Sequence, residues 1–214
     1  MKPPTLREVF DRYPLASRTR FDAQVWVYAT GDEDDSLYLI DSGQVKLSIA
    51  SAEGKDCLLA VYGPGDVFGE SCFRSTRKRV ETATTMQPSV IRRASRREFV
   101  AELERHGAME ALLRHLADRL DDRQMAVFDL ITIDSKQRLA KVLLTFAERL
   151  GTQDGVFLRL DQRISHEELS QIVGTTRPRV TAFMQDFRTL GLIDTSDRAI
   201  RVHRQRTREF LARD

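Results

Sequence analysis

Near Arg96 the apolar rhythm of this chain changes from a period of two to a heptad, and one layer of structure cannot serve both. Before that point Val25 and Val27 alternate, as do Leu37 and Leu39, then Val45, Leu47 and Ile49, and the run CLLAVY follows from Cys57. Turn-forming stretches separate them: TGDEDD at 30–35, DSG at 41–43, AEGKD at 52–56 and GPGD at 63–66. Short strands at this spacing predict a small antiparallel barrel or sandwich, with Cys57 as a buried strand residue. From Met109 the apolar positions step by four and three through Leu113, Leu116 and Leu120, and after Arg123 through Val127 and Leu130. That is a heptad seam with one polar break. A small barrel cannot bury such a seam, so the helix is expected to dimerise.

A further domain starts at residues 133–135. Its first helix, SKQRLAKVLLTFAERL, gathers Leu139, Val142, Leu143 and Phe146 on one face and ends at Gly151. TQDG predicts a turn and VFLRLD a short strand. Ser165 with Glu168 three residues on predicts a helix opened by a capping box. Gly174 splits this helix from a second one. GLIDTSDRAIRVH then predicts two strands with a turn around Thr195–Arg198. Helix, glycine turn, helix and hairpin is the winged helix-turn-helix pattern. Leu169, Ile172, Val173 and Val180 are the expected joint between the helices, and Phe183, Phe187, Leu190 and Leu192 the tie to the domain core. The fold class is therefore α+β, divided at 1–107, 108–134 and 135–214.

The second helix opens with Thr176 as N-cap and Arg177 and Pro178 in its first turn. Proline loses nothing there, since its missing N–H would have no intrahelical partner. Cations are unfavourable at that positive end of the helix dipole. Arg177 and Arg179 make sense where that end meets an anion or the acceptor edge of guanine, as the start of a recognition helix does. From Arg159 onward every basic side chain other than histidine is arginine, eleven against eight acids. The planar guanidinium suits phosphate and guanine better than an ammonium does.

Other classes find little support. No P-loop, HExxH, nucleophile elbow or dinucleotide fingerprint is present, so no enzyme is expected. Two cysteines are too few for a disulfide framework or an iron–sulfur cluster, and no zinc spacing occurs. Cys72 remains a candidate redox thiol; Cys57, Cys72, His106 and His115 carry no spacing that argues for haem. The N-terminal MKPPTLREVFDRYP lacks an apolar signal core and no apolar run has membrane-spanning length, which predicts a cytoplasmic protein without a membrane partner.

Two segments carry a resemblance. GDEDDSLYLIDSGQVKLSI…EGKDCLLAVYGPGDVFGE resembles the cyclic-nucleotide-binding β-roll, and SHEELSQIVGTTRPRVTAFMQDFRTLGLI resembles the DNA-binding signature of the CRP/FNR superfamily of bacterial transcription regulators. The resemblance covers nearly the whole chain in the expected order. It implies an N-terminal β-roll of jelly-roll type, a dimerisation helix and a winged helix-turn-helix. It implies a homodimer on a near-palindromic duplex, with RNA polymerase as a partner. Arg177, Pro178 and Ala182 occupy the family's base-contacting places, and Thr176 and Arg179 places that touch phosphates. Many members have Glu where Pro178 stands and Arg where Ala182 stands, so a different DNA site is expected, with Arg177 reading guanine.

For a cyclic nucleotide, Gly69 and Glu70 match the phosphate-turn glycine and the ribose-binding glutamate, and Arg79 is the candidate for the phosphate. RVETA departs from the family pattern, because Val80 and Glu81 replace a small hydroxyl residue and alanine. The loop from Glu70 to Arg79 is also one residue shorter. Arg123 and Gln124 stand where the prototype meets adenine. Arg123 is also the polar break of the seam: a ligand contact, an ion pair with Asp121 or Asp122, or a residue that sets register. Three modes of control stay open: cAMP, another small effector, or none, with a vestigial pocket. A competing class is a ligand-sensing module that acts on a protein partner.

Overall fold

The computed structural model describes residues 4–12, 16–50, 56–161, 164–195 and 199–212. They form two compact units, Met1–Gln124 and Met125–Asp214.

The first unit opens with helix α1 (Leu6–Arg12), followed by β1 (Ser17–Phe21), β2 (Trp26–Tyr28), β3 (Ser36–Ser42), β4 (Val45–Ala50), β5 (Asp56–Tyr62) and β6 (Val67–Phe68). A 3-10 turn at Glu70–Phe73 leads to β7 (Thr82–Thr85), β8 (Ser89–Ser95), α2 (Arg96–Arg105) and the long α3 (Met109–Thr132). The strands form two antiparallel four-stranded sheets, ordered β1-β8-β3-β6 and β2-β7-β4-β5.

Strand β3 shows why this half folds as it does. Its period of two sends Leu37 and Leu39 to a core shared with Phe10, Phe99 and Leu103 of the helices. Tyr38 and Ile40 point the other way, into a second core with Tyr28, Val45, Leu47, Tyr62 and Phe68. Both faces of β3 are therefore buried.

The seam helix keeps Met109 and Leu116 against the helix-side core. Leu113, Leu120, Val127 and Leu130 are exposed, as is Arg123. Three details of the first half differ from expectation. Cys57 is exposed, because alternation along β5 turns Leu58 inward instead. Tyr28, not Val25, is the fully buried residue at β2, and Val25 lies outside the strand and exposed. Helix α1 and strands β1, β6, β7 and β8 lack a clear apolar rhythm and were not expected. Residues 52–55 of the expected AEGKD turn lie outside the described residues.

The second unit takes in the end of α3 and then α4 (Ser135–Leu150), β9 (Thr152–Asp154), β10 (Phe157–Leu160), α5 (His166–Val173) and α6 (Arg177–Thr189). Strands β11 (Ile193–Asp194) and β12 (Ile200–His203) and helix α7 (Arg204–Leu211) complete it. The sheet order is β11-β12-β10-β9. Helix α4 begins with a capping box of Asp134 and Gln137 and buries Leu139, Leu143 and Phe146. Arg138 on α4 donates to the carbonyls of Ile133 at 2.6 Å and Val173 at 2.9 Å, tying the end of α3 and the end of α5 to one side chain.

TQD is a strand rather than a turn; the reversal falls on Gly155 and Val156. Leu190 is half exposed rather than a core tie, because α6 ends there while Leu192 turns inward. Residues 196–198 of the expected hairpin turn lie outside the described residues. No helix among the described residues is long and apolar enough to cross a membrane.

Candidate functional site

Two places gather chemistry. In the first unit, Gly69 has φ +91, and a Cβ there would lie 3.1 Å from Arg79 Nη1, Ser36 O and Tyr38 Cδ2. Only glycine fits that turn, and the turn meets Arg79. Arg79 is 2% exposed. Its Nη1 donates to Gly69 O at 2.7 Å and Ser71 Oγ at 3.1 Å. Nε and Nη2 donate to Asp34 Oδ2 at 3.1 and 2.7 Å, and Nη2 also donates to Ser36 O. The five N–H groups of a guanidinium are thereby all engaged. The group also lies 4.2 Å above the Tyr28 ring.

Carboxylates surround it. Asp34 also accepts from Tyr38 Oη at 2.7 Å and Arg93 Nη2 at 3.1 Å. Burial opposes its ionisation, but the hydrogen bonds from Arg79 and Tyr38 outweigh this and hold its carboxyl below the usual range. Glu81 points inward, 6% exposed, and accepts from Tyr28 Oη at 2.9 Å and Ser71 Oγ at 3.1 Å. Burial, then the Glu81 charge, pushes the Tyr28 hydroxyl far above its ordinary range, so it serves as a donor.

Glu70 belongs to a neighbouring group. Its Oε1 is 2.6 Å from His115 Nε2 and 3.1 Å from Arg119 Nε, two residues one turn apart on α3. Burial opposes ionisation of Glu70, and His115 and Arg119 reverse the balance and lower its pKa. Arg119 also donates to Val67 O at 3.0 Å and lies 4.2 Å over the Tyr62 ring. Burial pushes the Tyr62 hydroxyl up to about 12.

The structure thus brings Gly69 and Arg79 together and ties Glu70 to α3. Arg123 and Gln124 stand exposed on α3, with no hydrogen bond or ion pair to any of the three among the described residues. These residues do not fit a cyclic phosphate. The buried guanidinium of Arg79 has no free donor, and an added anion would face Asp34 and Glu81 in a poorly solvated place. Asp34, Tyr28, His115 and Arg119 were missed as members of these groups. Asp34 is one of several acids in GDEDD, and nothing local marks it out.

The remaining sensor candidates fall away on local chemistry. Cys72 is fully buried and burial pushes its thiol up to about 12, which does not suit a redox thiol. His106 lies 3.4 Å from Glu102, and His115 is spent on Glu70. No group of residues that could hold a metal is found among the described residues.

The second place is the helix pair. Ser165 accepts from Glu168 N at 3.1 Å, and Glu168 accepts from Ser165 N at 2.9 Å, which closes the capping box of α5. Gly174 ends α5 in the left-handed region, φ 69 and ψ 50, and redirects the chain into α6. Leu169, Val173, Val180 and Phe187 are buried between the helices and the core, with Ile172 and Phe183 half-buried. Thr176 is the N-cap by position, but its hydroxyl makes no capping bond. The first turn of α6 therefore keeps unfilled N–H groups beside Arg177 and Pro178.

Thr176, Arg177, Pro178, Arg179 and Ala182 are all exposed, at one end of one helix. Arg177 and Arg179, two residues apart, point to different sides, and Arg179 lies 5.6 Å over the Phe183 ring. Thr181 and Gln185 share the exposed face with Pro178 and Ala182. They were missed, though their i, i+3, i+4, i+7 spacing is legible. His166 Nδ1 lies 2.9 Å from Thr181 Oγ1. Burial first, then Arg177 and Arg188, lowers the His166 pKa.

Known proteins agree with this layout. Residues 18–106 match the cyclic nucleotide-binding domain family, and residues 137–207 match the Crp-like helix-turn-helix domain family. A CRP-like cAMP-activated global transcriptional regulator of Mycobacterium tuberculosis is 36% identical over 177 residues, 81% of this chain and 78% of that protein. A CRP-family transcriptional regulator from Thermus thermophilus has a similar solved structure, with TM-score 0.74, 26% identity, and coverage of 90% and 96% of the two chains. A CooA mutant from Carboxydothermus hydrogenoformans shares the fold, with TM-score 0.77 at 23% identity over 99% and 98%. A cyclic-nucleotide-type β-roll, a long helix and a Crp-like helix-turn-helix in this order make the chain a member of the CRP/FNR superfamily, a sequence-specific DNA-binding transcriptional regulator.

Proposed function

We propose that the protein acts as a homodimer on a near-palindromic duplex, each α6 entering the major groove of one half-site. The observation that carries this reading is the exposed end of α6, where Arg177 and Arg179 stand at the positive end of the helix dipole beside unfilled N–H groups. The half-sites then lie about one DNA turn, roughly 34 Å, apart. Segment 1–107 serves as the sensor-type β-roll, 108–134 as the dimerisation helix and 135–214 as the DNA-binding domain. RNA polymerase is the partner at the promoter. Arg177 reads guanine, and Thr176 and Arg179 touch phosphates. Arg177→Ala is expected to weaken binding to a selected site by about 1–3 kcal/mol and to relax one base position, measured by fluorescence anisotropy at fixed salt. Equal loss on every duplex would reduce Arg177 to a phosphate contact.

A second reading concerns control. The Mycobacterium tuberculosis relative is described as cAMP-activated, which makes cAMP or a similar effector the natural candidate here. The engagement of all five Arg79 donors favours the opposite: a β-roll closed on its own ion pairs, with DNA binding that needs no cyclic nucleotide. Calorimetric titration with cAMP and cGMP is the test. The expected result is no heat at millimolar nucleotide, with DNA affinity unchanged. Micromolar binding that disappears in Glu70→Ala or Arg79→Ala would restore the nucleotide-gated reading.

A further inference from the structure

The exposed face of α6 has an unusual composition for a helix meant to read bases. At about 100° per residue, Pro178, Thr181, Ala182 and Gln185 share an arc of about 100°, with Arg177 on one flank and Arg179 on the other. Pro178 has no N–H and Ala182 no polar atom. Thr181 is the only hydroxyl among these four. It is already committed: Thr181 Oγ1 donates to Arg177 O at 3.1 Å, one turn back. The same Oγ1 lies 2.9 Å from His166 Nδ1, which donates to it or accepts from it according to the imidazole tautomer; in either case the hydroxyl is engaged within the chain. The bond to Arg177 O draws Oγ1 back along the helix and leaves the methyl as the group free to meet a partner.

We infer that Thr181 and Ala182 are specificity-determining residues that read thymine through its 5-methyl group, between bases or phosphates met by Arg177 and Arg179. An apolar patch of methyls matches the one apolar mark that a base pair shows in the major groove. It offers nothing to guanine or cytosine edges and leaves their hydrogen-bonding groups desolvated without a partner. His166 Nδ1 and Arg177 O together hold the Thr181 hydroxyl within the chain. This inference rests on the proposed entry of α6 into the major groove.

The test uses the full-length chain. A duplex is selected from a random pool, and each thymidine of the half-site is then replaced by deoxyuridine, which removes the methyl and nothing else. The native chain is expected to lose roughly fourfold in affinity at one or two positions per half-site, the value of one buried methyl. Thr181→Ser keeps the hydroxyl chain and lacks the methyl, so it should bind thymidine and deoxyuridine equally at one of those positions. Thr181→Val keeps the methyl and lacks the hydroxyl, so it should discriminate as the native chain does. Indifference of the native chain to deoxyuridine at every position, or unchanged discrimination in Thr181→Ser, overturns the inference while the DNA-binding reading stands. A chain that selects no duplex overturns both.

Discussion

Asp34 is the single direct anionic partner of a guanidinium whose side chain is fully buried, at 2.7 Å from Arg79 Nη2, among the described residues. Without it Arg79 would keep neutral acceptors at Gly69, Ser71 and Ser36, but its charge would stand unpaired inside the β-roll. Breaking a buried pair from one side is costly, and Asp34→Ala is expected to lose about 3–5 kcal/mol in urea unfolding of the full chain at neutral pH. The sign with pH follows from the lowered pKa of Asp34. Its contribution is fully present above the unfolded carboxylate value and is lost as pH falls through the folded one. The gap between native chain and variant should therefore narrow below about pH 4. A gap that stays constant to low pH would show that Asp34 acts by packing instead. At this scale the sequence was only partly legible. Gly69 and Arg79 were both expected at one phosphate, and Arg79 Nη1 instead donates to Gly69 O at 2.7 Å. That Arg79 is already spent was not expected, because its acceptors come from residues that no local pattern links to it.

Helix α3 shows the same division at the level of an element. Its heptad steps are readable by eye, and so is the break at Arg123. Leu120 and Val127 are each 58% exposed in the single chain, and Phe128 and Ile131 widen the apolar face beyond the heptad seam. An apolar face of this length on one helix is a stable surface only when covered. Replacing Leu120 and Val127 by Asp removes four apolar side chains from the proposed dimer at roughly 1.5–3 kcal/mol each. Sedimentation should then find a monomer, and binding to a two-half-site duplex should fall to that of a single half-site. A double variant that stays dimeric would place the interface elsewhere. Neither side chain belongs to a core cluster, so each unit should remain folded, with near-native circular dichroism. Helix α4 was legible through the apolar face of Leu139, Val142, Leu143 and Phe146 and its end at Gly151, and α5 and α6 through Ser165, Glu168 and Gly174, since periods and caps act within a few residues; the capping box of Asp134 and Gln137 was not expected. The short strands β6 and β7 were not legible, because two to four residues carry too little periodicity.

For the molecule as a whole, the sequence by itself determined the order and kind of its parts. Periodicity of two along β3, heptads along α3 and a glycine-split helix pair are local patterns, set by geometry within a turn or a pleat. Local rules also placed Arg177 and Pro178 at the start of α6. Only the tertiary structure decided what the polar side chains do. Arg79 meets Asp34 across 45 positions of sequence, Glu70 meets Arg119 across 49, and Tyr28 meets Glu81 across 53. His166 Nδ1 reaches Thr181 Oγ1 across 15. The physical reason is the same in each case. Apolar side chains reveal themselves by period because water excludes them all alike, whereas an ion pair or hydrogen bond depends on one partner at one distance, which only the closed fold supplies.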